Sequence, residues 1–498
     1  MIFWAAVISG LVVLLTARDW RKALLAVLLI GVLQDVFRKL TPGIPAYYIL
    51  WSTAAYAVVV FAAFRNGALP GVSTLYLGNR RLRAWLLAFL ALVALQLMHS
   101  FVRYGNPVIP VLGGLFYFGP IVAVLVGAAF VNSEQSLRRF LLTYLVVFVP
   151  TCLTVYLSPF LSDTYPVLRD VGTFIGQELR IFDVGTVLRS HPGLLRVGEI
   201  AAWHAAACIV FLSILMLTSR RVALRLLNAA LMLALVGVII LTGRRKMLVA
   251  LTIFFAFQWG LLIWYRWGTR RIGVTLLTLG GTLAIGMMVY QPSSDASNYL
   301  MRSSTAYTSI DDRLKTTLNL ARSAIYRSEV IGLGAGATSQ GARYAGGGAS
   351  GAGGAGGAGG AGGAGGAGGA GGAAEAGLGK IIVELGIVGF LMLFFLLLSA
   401  GLTVARQIAL VQTLGADILI YDISFVAFLL ANIAAFAVAS QLFGDFFVLI
   451  ILGTLAGFVV RIHGAALRKA YATDSARKDR SGLRQPLHSA QSRNAETG

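Results

Sequence analysis

The chain has 498 residues, of which 57% are hydrophobic and only 12% are charged, and its mean hydropathy is +0.79. These values exclude a soluble globular domain and indicate an integral, multi-pass membrane protein. The formal net charge of +21 would suit a nucleic-acid ligand, but the basic residues stand in short clusters between apolar segments and in the tail. Membrane orientation accounts for that pattern, so we expect membrane lipids as partners and no nucleic acid.

Thirteen apolar segments predict membrane spans. Because lipid offers the backbone no hydrogen-bond partners, a span must be a helix or part of a closed barrel, and these segments lack the alternation of barrel strands. The predicted fold class is all-α, a polytopic integral membrane helical bundle of about 12 to 13 transmembrane helices with two larger outer-face loops. The predicted spans are residues 2–17, 23–37, 45–64, 84–100, 108–131, 140–158, 199–218, 226–242, 247–265, 272–290, 380–405, 419–440 and 445–462.

Two long connectors and a polar tail divide the chain into regions. The tail is basic and we predict it to be disordered, on the cytoplasmic side. The predicted regions are N-terminal spans in 1–158, a first outer-face loop in 159–198, central spans in 199–290, a second outer-face loop in 291–379, C-terminal spans in 380–462 and the tail in 463–498.

The charges of the short connectors predict the orientation. Connectors rich in Lys and Arg mark the cytoplasmic side, and they are Arg65 with Arg80, Arg81 and Arg83; Arg138 and Arg139; Arg220, Arg221 and Arg225; Arg266, Arg270 and Arg271; and Arg468 with Lys469. Both long loops then lie outside. Arg38 and Lys39 also fall outside, against the rule, so a re-entrant arrangement of the first two spans stays open.

The first outer-face loop carries charges of both signs. One interpretation is a solvated loop with internal ion pairs. The other gives a phosphate to Arg180, Arg189 or Arg196, because a planar guanidinium suits bidentate contact with phosphate oxygens.

The histidines and cysteines of this part of the chain show no catalytic or metal-binding spacing. His191 precedes a proline and His204 lies inside a span, and we expect structural roles for both, although His204 stands near Glu199 in the sequence. Cys152 and Cys208 lie in apolar segments and are expected to be buried. No metal site is predicted.

The run Gly243–Lys246 separates two apolar segments on the outer face. Arg244, Arg245 and Lys246 have no acid beside them in the sequence, and Lys and Arg are normally scarce on that face. Three such cations need an anionic partner. This run is the strongest candidate for a functional site.

The second outer-face loop has three parts. Residues 311–327 alternate charged and apolar side chains at a spacing that predicts an amphipathic helix at the interface. The glycine-rich residues 330–336 have no soluble strand-turn-helix unit around them, which excludes dinucleotide binding. Residues 346–374 are a run of Gly-Gly-Ala triplets broken only by Ser350 and without proline, which excludes collagen and predicts a flexible tether.

Glu384 would lie inside a span. A carboxylate in the membrane is costly and therefore marks either a functional site or an acid paired with an arginine of the bundle. The sequence leaves both interpretations open.

Four segments in this order resemble the O-antigen ligase and O-antigen polymerase superfamily of bacterial polysaccharide-assembly membrane proteins. They are Leu241–Leu248, Asp312–Leu314 leading to Ile331–Gly334, and Glu384–Gly389 after the large outer loop. The resemblance covers roughly residues 190 to 400, and the first half of the chain matches only as a series of spans.

The resemblance implies a glycosyltransferase of the bacterial inner (cytoplasmic) membrane. Such an enzyme transfers a polyprenyl-diphosphate-linked saccharide to a saccharide or lipid-anchored acceptor at the periplasmic face, without cofactor or metal, alongside other polysaccharide-assembly proteins. Arg244 and Arg245 match the basic position after the Thr-Gly pair and are implied to bind the diphosphate, with Lys246 sharing that role or extending to the interface. Arg313 and Arg189 complete the expected anion site.

The resemblance also bears on the general base that the acceptor hydroxyl needs. Ligases of this family place a histidine about eleven residues before the glycine equivalent to Gly386, and this chain has Glu375 there. We expect Glu375 to be the catalytic base, and the substitution favours a polymerase over a ligase. A transporter, either a flippase or an exporter, of lipid-linked saccharide is the main alternative, although no internal repeat is evident, and a signalling or scaffold protein would need no outer cation cluster.

Overall fold

The computed structural model describes residues 2–174, 180–183, 186–265, 298–301, 331–339 and 376–482, together with a few single positions between 273 and 326. Its elements are almost all helices, which confirms the all-α prediction. They are α1 (Ile2–Arg18), α2 (Trp20–Leu40), α3 (Trp51–Arg65), α4 (Arg80–Tyr104), α5 (Val108–Tyr117), α6 (Gly119–Phe130), α7 (Glu134–Leu153), α8 (Ser158–Leu161), α9 (Val171–Phe174), α10 (Gly198–Thr218), α11 (Val222–Leu241), α12 (Lys246–Trp264), α13 (Gly377–Val411), α14 (Ala416–Val438) and α15 (Phe446–Gly482). An antiparallel hairpin of β1 (Arg180–Asp183) and β2 (Thr186–Arg189) lies in the first long loop.

Nine of the described helices are long and apolar enough to cross a membrane, and the pair α5 and α6, bent by 40°, makes ten if it is one span. These ten coincide with ten of the thirteen predicted spans. Of the remaining three, α1 is a shorter apolar helix, α2 is a helix that carries charges at both ends, and 272–290 lies outside the described residues apart from Gly273. The chain is therefore a multi-pass helical membrane protein.

Small residues set the closest helix contacts. α6 packs against α15 through Gly127, Gly453 and Gly457, each of which faces the backbone of the other helix at a distance that leaves no room for a Cβ atom. Inside the bilayer, an apolar side chain gains no hydrophobic free energy by moving from lipid to a neighbouring helix. Close van der Waals packing of this kind therefore stabilises the bundle.

α10 runs through the centre of the bundle and is buried along almost its whole length. His204 of this helix stacks on Phe148 with ring centroids 4.1 Å apart, and its Nδ1 lies 2.7 Å from the hydroxyl of Tyr144. Cys152 and Cys208 are buried free thiols. These observations confirm the burial of both cysteines and place His204 in the packed core.

The contacts between connectors sort them into two ends of the bundle. We call the end with residues 38–45, 154–174, 186–198 and 242–246 the loop end, and the end with residues 131–133, 219–221 and 412–415 the tail end. Lys39 donates hydrogen bonds to the carbonyl oxygens of Val167, Gly193 and Leu195 at 3.0, 2.8 and 2.6 Å. This lysine anchors the first long loop, which gives a local reason for its departure from the charge rule.

Arg196 forms the central ion pair of the loop end. Its Nη2 lies 2.8 Å from Asp445 Oδ2 and its Nη1 lies 3.6 Å from Asp35 Oδ1, and its backbone N–H donates to Asp35 Oδ2 at 3.0 Å. All three residues are buried. Arg196 therefore joins α2, the first long loop and the start of α15, and the interpretation of this arginine as a phosphate ligand is wrong.

The tail end has its own buried pair and a longer helix than expected. His463 Nε2 lies 3.0 Å from Asp422 Oδ2, which ties α15 to α14. α15 continues to Gly482. The prediction of a disordered tail from residue 463 is therefore wrong over its first twenty residues, because the helix does not end at the edge of the apolar segment.

Replacing Arg196 by Leu should lower the free energy of unfolding by roughly 3–5 kcal/mol, because two buried carboxylates lose their partner. Thermal unfolding of the detergent-purified protein measures the effect as a lower midpoint. Lys22→Leu is the matched control, since Lys22 pairs with Asp19 at 3.8 Å while 70% exposed and such pairs contribute little. Equal midpoints for the two variants would contradict the role of Arg196.

Candidate functional site

A tight turn joins α11 to α12 and carries the three predicted cations. Gly243 adopts φ +66°, a left-handed conformation that glycine adopts at little cost. The N–H of Met247 then donates to the carbonyl of Arg244 at 3.0 Å, which starts the next helix. The sequence Thr242–Lys246 therefore presents Arg244, Arg245 and Lys246 together at the loop end.

The first long loop packs directly on this turn. Ser190 donates its hydroxyl to the carbonyl of Thr242 at 3.1 Å, and Tyr299 donates to the carbonyl of Arg189 at 2.7 Å. Arg189 itself is exposed. Arg189 thus lies at the same end of the bundle as the turn.

Glu199, the second residue of α10, forms an ion pair with Lys246. No acid stands beside the three cations in the sequence, but Glu199, 47 positions before Lys246, lies next to it in the folded chain. Arg244 also interacts electrostatically with Glu199 and with Asp170. Among the described residues Arg244 Nε is shielded from solvent and makes no hydrogen bond.

Two titratable groups of the first long loop respond to this environment. Burial raises the pKa of Asp170, although Lys39 and Arg244 oppose the shift and its Oδ1 accepts a hydrogen bond from Gly172 N–H at 2.8 Å. Burial, reinforced by the charge of Arg189, lowers the pKa of His191 to about 4. His191 is therefore neutral near pH 7 and adds no charge to the cation cluster.

Several predicted residues lie outside the described residues. They are Glu375, Arg313, the Gly-Gly-Ala run 346–374 and most of the predicted amphipathic helix 311–327, of which only residues 315, 319, 321, 322 and 324–326 are described. Their predictions stand as predictions. Ala376, next to Glu375, is buried at the start of α13.

Glu384 lies in a second cluster, of which the sequence indicated only part. Its Oε1 accepts hydrogen bonds from Lys380 Nζ at 2.6 Å and from Thr338 Oγ1 at 2.5 Å, and its Oε2 accepts one from Tyr117 at 2.8 Å. The partner is thus a lysine one helical turn away rather than an arginine. The spacing Lys380–Glu384 was visible in the sequence; the contributions of Thr338 and Tyr117 were not.

A break in α13 lies directly beside this cluster. Gly386 has φ +71° and ψ −179°, which interrupts the helical hydrogen bonds of the preceding turn. The carbonyls of Val383 and Glu384 accept hydrogen bonds instead from the N–H groups of Leu333 and Gly334, at 2.8 and 3.1 Å. Segment 331–339 therefore supplies the partners that a broken helix needs inside a membrane.

These features define the class of protein: a polytopic helical membrane protein with a basic turn at one end and a broken helix held by an inserted glycine-rich segment. The described residues contain no group of three or more His, Cys, Asp or Glu side chains able to hold a metal ion. No known protein family matches the chain, and no curated protein is significantly similar to it.

Replacing His191 by Gln should remove part of the acid sensitivity of the fold. The unfolded chain takes up a proton near the ordinary histidine pKa, whereas folded His191 does so only near pH 4, so its contribution to stability falls as pH drops through that window. The thermal midpoint of wild type, measured relative to H191Q, should therefore decrease from about pH 6.5 to about pH 4. Parallel curves for the two proteins would contradict this assignment.

Replacing Gly334 by Ala should destabilise the inserted segment. Gly334 has φ +101°, and an added Cβ would lie 2.8 Å from Ser100 Cα in α4, so both strain and overlap arise. We expect a lower thermal midpoint and lower yield. Gly114→Ala is the matched control because its nearest atom, Leu97 Cδ1, is 3.8 Å away; an equal loss in both variants would contradict the close packing of segment 331–339.

Proposed function

We propose that this protein is a membrane glycosyltransferase that transfers a saccharide from a polyprenyl diphosphate to an acceptor sugar at the loop end, as an O-antigen polymerase or ligase does. The loop end then faces the periplasm from the bacterial inner membrane. The observation that carries the proposal is the excess of positive charge that the fold concentrates at this end.

The balance of ionisable side chains around the turn and the Arg196 ion pairs favours an anionic ligand. Six basic side chains stand against four acidic ones among the described residues of this network. The cations are Lys39, Arg189, Arg196, Arg244, Arg245 and Lys246, and the carboxylates are Asp35, Asp170, Glu199 and Asp445.

The proposed chemistry uses this surplus directly. As the bond between the saccharide and the diphosphate breaks, negative charge accumulates on the leaving oxygen, and preorganised cations stabilise it most where water is partly excluded. Arg244 and Arg245 would bind the diphosphate, with Lys246, Arg189 and Arg313 around it. Glu375 would accept the proton of the acceptor hydroxyl.

One observation favours the alternative, a transporter of lipid-linked saccharide. α13 is discontinuous at Gly386, with the buried pair Lys380 and Glu384 beside the break, and discontinuous helices commonly form transporter binding sites. The pair is fully engaged with Thr338 and Tyr117, which fits a structural role better than an exchanging one.

Deleting the gene and analysing lipid extracts by gel and mass spectrometry separates these functions. A glycosyltransferase predicts that lipid-diphosphate-linked repeat units accumulate in the outer leaflet while long or lipid-attached glycan is lost. Accumulation confined to the cytoplasmic leaflet would indicate a flippase. No change in either pool would refute the proposal.

Replacing Arg244 or Arg245 by Ala should abolish polymer formation while the protein remains in the membrane, because leaving-group stabilisation of this kind is worth on the order of 10²–10³ in rate. Arg221→Ala is the matched control, since Arg221 is an exposed arginine at the tail end. Glycan length on gels, normalised to membrane protein level, measures the effect. Full activity in both loop-end variants would refute this site.

A further inference from the structure

Glycosyl transfer from a diphosphate changes the charge of the ligand. An acceptor oxygen bonds to the anomeric carbon, the electron pair of the broken bond stays on the diphosphate oxygen, and the acceptor proton goes to the base. The donor is a dianionic diester, whereas the released lipid diphosphate ends in a phosphate monoester that carries a further negative charge above its second pKa of about 6. A purely cationic site would therefore hold its product more tightly than its substrate.

Glu199 lies where it can counter this effect. Its carboxylate is 8% exposed and forms the ion pair with Lys246, whose side chain is 27% exposed. Glu199 is therefore more deeply buried than the lysine with which it pairs. Arg244 interacts with the same carboxylate, so Glu199 reduces the positive potential of the turn at two of its three cations.

The surrounding fold fixes Glu199 in this position. It lies in the first turn of α10, which is buried along almost its whole length, and Gly198 before it packs against Ser190 and the carbonyl of Thr242. The carboxylate therefore stays beside the turn when the ligand changes.

We propose that Glu199 is a positioning residue that limits retention of the product: it holds Lys246 as an internal anion and so weakens binding of the released lipid diphosphate more than binding of the saccharide-linked donor. This inference rests on the proposed function. The reason is that an electrostatic penalty scales with ligand charge, and the product carries one charge more than the donor.

The test measures two affinities at pH 7.5 with the full-length protein in phosphatidylcholine nanodiscs. The probes are polyprenyl diphosphate, as product, and polyprenyl-diphosphate-linked N-acetylglucosamine, as a saccharide-linked diester. Glu199→Gln should tighten both, and should raise the ratio of product to diester affinity by about tenfold, the order expected for one partly buried charge. Glu199→Asp, which keeps the charge, should retain the wild-type ratio.

Asp163→Asn is the matched control. It also removes one negative charge from the loop end, but Asp163 is 91% exposed and pairs only loosely with Arg169 at 4.0 Å. Its ratio should equal that of wild type. An unchanged or lower ratio in E199Q, or an equal rise in D163N, would overturn the proposal.

A double variant keeps the test decisive if E199Q alone does not fold. Glu199→Gln with Lys246→Gln removes both partners and keeps the net charge, so the ratio should stay near the wild-type value. A raised ratio in this variant would overturn the role of the pair. If wild type binds neither probe, the diphosphate site of the proposed function fails as well, whereas tight binding of both with no effect of E199Q refutes only the inference about Glu199.

Discussion

The loop end depends on the placement of Arg196 between two buried carboxylates. A guanidinium in this environment is tolerable only with opposite charges against it, and Asp35 and Asp445 come from helices far apart in the sequence. Their pairing brings α2 and α15 to the residue that leads into α10. The start of α10 places Glu199, and residues 189–190 contact the turn at Thr242. The geometry of the cation cluster therefore follows from an ion pair that is not part of it.

The two polar clusters of the bundle differ in how completely their members are partnered. The carboxylate of Glu384 receives donors from a lysine, a threonine and a tyrosine, and such a satisfied network rigidifies its surroundings. At the turn, by contrast, Arg244 Nε makes no hydrogen bond among the described residues. A shielded guanidinium N–H without a hydrogen-bond acceptor can still donate to an external anion. This contrast is why the turn, rather than the intramembrane acid, carries the functional proposal.

The sequence predicted the spans well because an apolar segment of sufficient length has one stable outcome in lipid. It also located the basic turn, since Arg244, Arg245 and Lys246 stand in an otherwise apolar region. It did not predict Glu199 as the partner of Lys246, or Arg196 as an ion-pair residue. Those pairings join residues 47 and 249 positions apart. The sequence around a charged residue does not indicate which distant residue will pair with it. The helix beyond residue 463 was not predicted for another reason. The polar residues there indicate exposure to solvent, and an exposed segment can still be helical.

The contacts of Thr338 have a consequence for the length of the chain between residues 339 and 376. Thr338 accepts a hydrogen bond from Lys380 at 3.2 Å, so the two ends of this segment lie close together. The entropic cost of closing a flexible loop rises only with the logarithm of its length, about 0.6 kcal/mol for each doubling. Adding or deleting Gly-Gly-Ala triplets in this segment therefore changes the free energy of folding of the helical bundle very little. Repetitive coding sequence of this kind is free to change its copy number between generations without selection against the fold.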